Sequence, residues 1–107
     1  MTESGNSMPR VSDEHLDFDD DQVFYFEGRR FTGISFSDEP VRSEISYVNG
    51  LQNGPARDWY SSGGLMSETN YRDDVKHGEE REYFEDGLLK ARRLYENGVL
   101  VSEVLQS

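Results

Sequence analysis

No cysteine occurs anywhere in the 107 residues. That absence removes disulfides, thiolate metal sites, thiol nucleophiles and thiol redox chemistry together. Basic residues are scarce, with 11 Lys and Arg against 22 Asp and Glu, a formal net charge of -11. Such a surface repels phosphate backbones and anionic headgroups, so nucleic acid and membranes are poor partners and a basic protein is the favoured one. No apolar run approaches the roughly 20 residues that cross a bilayer, and the start has no basic stretch followed by an apolar one. A cytoplasmic protein is expected. At this length the chain makes one domain with a thin core.

The acids are unevenly placed. Residues 1–22 hold Glu3, Asp13, Glu14, Asp17, Asp19, Asp20 and Asp21 against Arg10 alone, a balance of 1 - 7 = -6. Few large apolar residues accompany them, and such a composition cannot offset the entropy of ordering. Residues 1–22 are therefore expected to be an acidic, largely disordered tail in which Leu16 and Phe18 could dock locally, with the folded domain covering 23–107.

What the domain has is self-similarity. Tyr47, Tyr71 and Tyr95 recur every 24 residues, and the same shift superposes Gly54 on Gly78, Trp59 on Tyr83, Tyr60 on Phe84, Gly63 on Gly87 and Leu65 on Leu89. A period in the twenties marks a repeat architecture. Asn49-Gly50, Asn53-Gly54, Asp86-Gly87 and Asn97-Gly98 are dipeptides that accept positive φ, as tight hairpin turns require. Between them, runs such as Ile45-Ser46-Tyr47 alternate apolar and polar residues, the period of a half-buried strand. The units run over about Glu44–Gly64, Glu68–Leu88 and a truncated Arg92–Ser107, with Tyr25–Arg42 a degenerate unit suited to capping. An all-β antiparallel meander of seven or eight short strands is expected, Val99–Leu105 closing it as a strand or short helix.

Tyr47-Val48-Asn49-Gly50 with Gly54, Trp59-Tyr60, Gly63 and Leu65 resembles the variant form of the MORN repeat. The unit from Tyr71 departs from it at Asp74, which replaces the first glycine, and the unit from Tyr95 departs at Ser102, which replaces the second. The resemblance implies stacked β-hairpins in an elongated, twisted antiparallel sheet. Many small bacterial proteins of this type resemble YwqK-like antitoxins or the immunity proteins paired with secreted toxins. On that likeness the chain would be an immunity protein or antitoxin, non-enzymatic, that occludes a basic toxin such as a nuclease domain. An interaction scaffold is the alternative.

The repeated Tyr and Trp are required for packing whatever the protein does, and the repeated glycines are turn residues. Asp17, Asp19 and Asp21 have the spacing that opens a calcium loop, but Gln22 and Gly28 stand where that loop needs Gly and Glu. No metal and no cofactor is expected. His15 lies in the tail and His77 in a turn, and no Ser, Thr or Lys nucleophile sits beside a recognisable base, so no enzyme is expected. Partner contacts are assigned to Asp58, Tyr60, Glu80, Glu82 and Phe84, which share one strand face by parity, with Asp73 and Asp74 at the rim. Open sheet edges also allow a homodimer.

Overall fold

In the computed structural model, residues 8–106 are described. Eight strands form one sheet: β1 (Arg10–Ser12), β5 (Gly33–Ser37), β6 (Arg42–Val48), β7 (Leu51–Trp59), β8 (Leu65–Arg72), β9 (Val75–Tyr83), β10 (Leu89–Glu96) and β11 (Val99–Leu105), in that spatial order. A second sheet of three short strands, β2 (Asp17–Phe18), β3 (Phe24–Phe26) and β4 (Arg29–Arg30), lies between β1 and β5 in the chain. From β5 to β11 the main sheet is an antiparallel meander of hairpins, as the period of 24 predicts. Among the described residues only β1 is parallel to its neighbour, pairing Val11 with Ser35.

The ordered part of the chain begins before residue 23. Residues 1–7 lie outside the described residues, but Arg10–Phe18 supplies β1, a 3-10 turn (Asp13–His15) and β2. Val11 is a core residue, Leu16 packs against the same core and Phe18 stacks on Phe24, so three apolar side chains anchor a segment of otherwise unfavourable composition. Val11, Phe31 and Tyr47 form the cluster, Tyr47 being only 3% exposed, and Leu16, Phe24, Phe26 and Ile45 pack against it. The ring centres of Phe24 and Phe31 lie 5.0 and 5.8 Å from that of Tyr47. Thus the region expected to be a degenerate capping unit contributes an aromatic plug over one end of the sheet.

Beyond the plug the sheet is a single layer. Tyr71 and Tyr95 are half-buried where Tyr47 is buried, and their strands are held by hairpin chemistry and by ion pairs across strands, Arg57 with Glu68 and Arg93 with Glu80, Glu82 and Glu103. The hairpin tips have φ of +51° and +84° at Asn49-Gly50, +49° and +72° at Asp73-Asp74, and +49° and +85° at Asn97-Gly98. Each tip is fastened to the preceding one. Gly50 donates its N–H to the Phe31 carbonyl, Asp74 to Gln52 and Gly98 to Lys76, at 2.8–2.9 Å. The molecule measures 46 × 32 × 30 Å, the elongated form of a stacked-hairpin sheet.

Candidate partner-binding surface

Residues that pair directly across an antiparallel ladder share a face. Asp58 pairs with Ser67 and Ser67 with Glu82, while Thr69 pairs with Glu80 and Glu80 with Arg93. Asp58, Glu80 and Glu82 therefore do lie on one face. Their environments differ sharply. Glu80 is 9% exposed, accepts a hydrogen bond from the Thr69 hydroxyl at 3.1 Å, and is paired with Lys76 Nζ at 2.9 Å and with Arg93 at 3.2 Å. Burial alone would raise its pKa, but the bonds from Lys76, Thr69 and Arg93 outweigh it and hold the carboxyl below its ordinary value. Arg93 also pairs with Glu82, and its Nε reaches Glu103 at 2.7 Å. Glu80, expected as a partner contact, is thus a buried member of an intramolecular network in which both carboxylate oxygens already have donors. Glu82 shares Arg93 from the more exposed margin of the same row.

Tyr60 and Phe84 each begin the turn that follows a strand. In both repeats the turn is the same: Tyr60 N–H donates to Gly64 and Gly63 N–H to Tyr60, as Phe84 does to Leu88 and Gly87 to Phe84. The Tyr60 hydroxyl donates to the Tyr83 carbonyl at 2.7 Å, stitching one repeat to the next, whereas Phe84 is 40% exposed with Lys90 Nζ 5.8 Å from its ring centre. Asp73 and Asp74, expected at the rim, stand away from Phe84. They form the β8–β9 tip, at the opposite end of the nine-residue strand β9 from Phe84, a separation of about 25–30 Å. There they are clips: Asp74 Oδ1 accepts the Gln52 N–H at 2.7 Å, and Asp73 Oδ1 accepts from Asn53 Nδ2 at 3.2 Å.

The strand order assembles a different surface. In a meander, alternate turns fall at one end of the sheet, so the 38–41, 60–64 and 84–88 connections lie together. Because β1 runs parallel to β5, the 3-10 turn that follows it reaches that same end, and Asp13 and Glu14 line a shallow depression with Asp38 and Glu39. These four segments carry Asp13, Glu14, Asp38, Glu39, Glu85 and Asp86 and no Lys or Arg. Tyr60 and Phe84 stand among them, with Arg42, stacked on Trp59 at 4.7 Å, and Lys90 at the margin. Asp58 and Glu82 lie just inside. The cluster escaped sequence reading because its members are up to 73 positions apart, from Asp13 to Asp86. The hint was available in the turns themselves, all three of which lack a cation.

The Asp17–Asp21 run, which has the opening spacing of a calcium loop but not its glycine, is a local cap. Asp19 Oδ1 accepts the N–H groups of Val23 at 2.9 Å and Asp21 at 3.0 Å, and Oδ2 accepts the Tyr25 hydroxyl at 3.0 Å. The bond from Val23 is foremost in lowering the pKa of Asp19. Among the described residues no group of three or more His, Asp or Glu is arranged to hold a metal ion, and no helix is long and apolar enough to cross a membrane.

Residues 52–73 and 76–97 each match the family profile described as the MORN repeat variant. The two segments are the β7–β8 and β9–β10 hairpins, offset by the 24 residues of the sequence period. Neither the curated proteins nor the solved structures yielded a match to the chain. Two MORN-variant hairpins within a larger antiparallel sheet make this a repeat-built module of the kind that suggests protein interaction.

Proposed function

We propose that the chain is a non-enzymatic immunity protein or antitoxin that binds a basic toxin in the cytoplasm and neutralises it by occlusion. The observation that carries this reading is the acidic turn end: six carboxylates, no cation in the turns, and Tyr60 and Phe84 among them. Carboxylates on turns cost little to desolvate partially against Lys and Arg, and the field of a strongly acidic protein speeds capture of a cationic partner. Phe84 supplies exposed aromatic area of the sort that anchors an interface. The same surface disfavours nucleic acid and anionic membranes as partners.

The test is affinity capture of the tagged chain from its native lysate at low and moderate salt, followed by an activity assay on the captured basic domain. The reading expects inhibition near one-to-one stoichiometry. The double variant Glu85→Lys, Asp86→Lys, folded by circular dichroism, is expected to weaken binding at least tenfold. A captured partner whose activity the chain leaves intact would shift the reading to a scaffold, and unchanged affinity in the variant would remove the turn end as the contact surface.

A further inference from the structure

Strand β11 is the outermost strand among the described residues on its side of the sheet, and it is apolar on both faces. Val99, Leu100, Val101, Val104 and Leu105 are all 46–66% exposed. Native edge strands are usually blunted by charge, proline or cover. Here the only charged side chain of the strand is Glu103, and it is turned back onto Arg93 of β10.

The backbone shows which part of the edge is free to pair. Gln106 N–H donates to the Lys90 carbonyl, so Gln106 faces β10. In an antiparallel ladder the direction alternates, so the N–H and C=O of Leu105 and Glu103 face outward. At Val101 the register with β10 skips, leaving a bulge that ends regular pairing. The usable edge is therefore residues 102–106.

We infer that this edge pairs with β11 of a second copy of the chain, antiparallel and in one register, the two-fold axis passing beside Val104. That register sets Glu103 against Leu105 of the copy, and Leu105 against its Glu103, each an exchanging hydrogen-bonded pair. Val104 meets Val104 on one face, and the two Leu105 side chains lie diagonally on the other. Shifting the axis to Glu103 would set two carboxylates directly opposite each other, and shifting it to Leu105 would pair only residues 104–106 of the usable edge, so charge and the number of paired residues together select the register beside Val104. The two-fold also points the acidic turn ends in opposite directions, where a parallel pairing would set them side by side. Five paired residues a side make a small interface, formed reversibly and strengthened by salt that screens the mutual repulsion.

The inference is independent of the proposed function, and the salt responses separate the two: binding of a basic partner weakens with salt, self-pairing strengthens. The absence of cysteine makes a direct test clean. In Val104→Cys the facing residues form a non-hydrogen-bonded pair about 4.5 Å apart at Cα, within disulfide reach, and mild oxidation is expected to yield a covalent dimer. Ser102→Cys, about 13 Å from its copy in this register, is expected to stay unlinked. Sedimentation of the unmodified chain should show a concentration-dependent dimer whose share rises from low to moderate salt. Leu105→Pro removes an outward N–H and none facing β10, and is expected to be monomeric throughout. A chain that is monomeric at every salt concentration, or a folded Val104→Cys variant that fails to crosslink, would overturn the inference. So would loss of basic-partner binding in Leu105→Pro without any change in self-association, which would give the edge to that partner.

Discussion

Asp74 shows how one residue can hold two jobs that the repeat normally divides. Its φ of +72° is in the region where Gly50 and Gly98 sit in the neighbouring tips, and its carboxylate accepts the Gln52 N–H that a glycine would leave without that partner. Asp tolerates left-handed backbone because its short polar side chain bonds locally. Asp74→Ala keeps the strained φ and loses the acceptor, so it is expected to destabilise by about 1–2 kcal/mol, read as a lower urea midpoint. Asp74→Gly is expected to cost less, since relief of φ offsets part of the lost bond. Glu80 makes a second prediction at this scale. Its folded pKa is depressed below the ordinary 4.5, so its contribution is fully present above that value and is lost as pH falls through the lowered one. Urea unfolding between about pH 6 and pH 3 should show a steeper acid loss for the unmodified chain than for Glu80→Gln.

The elements repeat except where two residues change. At Gly54 and Gly78, with φ of +96° and +101°, three residues of β7 or β9 (53–55 or 77–79) lie opposite one residue of the preceding strand, Ser46 or Asn70. The side chains of Ser46 and Asn70 bond the Pro55 and Glu79 carbonyls inside that bulge at 2.9 Å. In the third unit Leu94 and Ser102 stand at the corresponding places, without the donor and without the glycine, and the bulge shrinks to Val101 alone. Gly78→Ala tests the account. A Cβ there would meet Asn70 Cβ at 3.5 Å, an ordinary contact, so the expected loss of about 1–2 kcal/mol is a backbone cost, and urea denaturation of the variant measures it. The expected seven or eight strands are the eight of the main sheet. The three-stranded sheet of the plug was not legible because β2 and β4 span two residues each, too short for any alternation to register.

For the whole molecule, the aromatic plug lies at one end of a single-layer sheet, so stability should grade along it. Amide exchange is expected to be slowest in β5, β6 and the adjoining part of β7, near Phe31 and Tyr47, and fastest in β11, with hydrogen-exchange mass spectrometry as the measure. Uniform protection from β5 to β11 would contradict the gradient. The same asymmetry accounts for the ion pairs of the later repeats. Where no second layer covers Tyr71 and Tyr95, Lys76 lies 4.9 Å from the Tyr95 ring centre and ties to Glu80, and Arg93 gathers Glu80, Glu82 and Glu103. A partner seated on the acidic turn end leaves this network undisturbed.

The period, the hairpins and the face shared by Asp58, Glu80 and Glu82 were all legible in the order of the residues. Tight turns and two-residue alternation are local physics, and a 24-residue repeat copies local physics along the chain. Which acids stand together, and which are drawn into ion pairs or clips between strands, was settled by long-range packing instead. The parallel docking of β1 on β5 brings Asp13 and Glu14 to the end where Asp38, Glu39, Glu85 and Asp86 already lie, while strand register delivers Arg93 to Glu80 and Glu82 and the tip-to-tip clip takes Asp73 and Asp74. Charge is written residue by residue, but whether a carboxylate is available depends on what the fold places within about 3 Å of it, and those neighbours come from elsewhere in the chain.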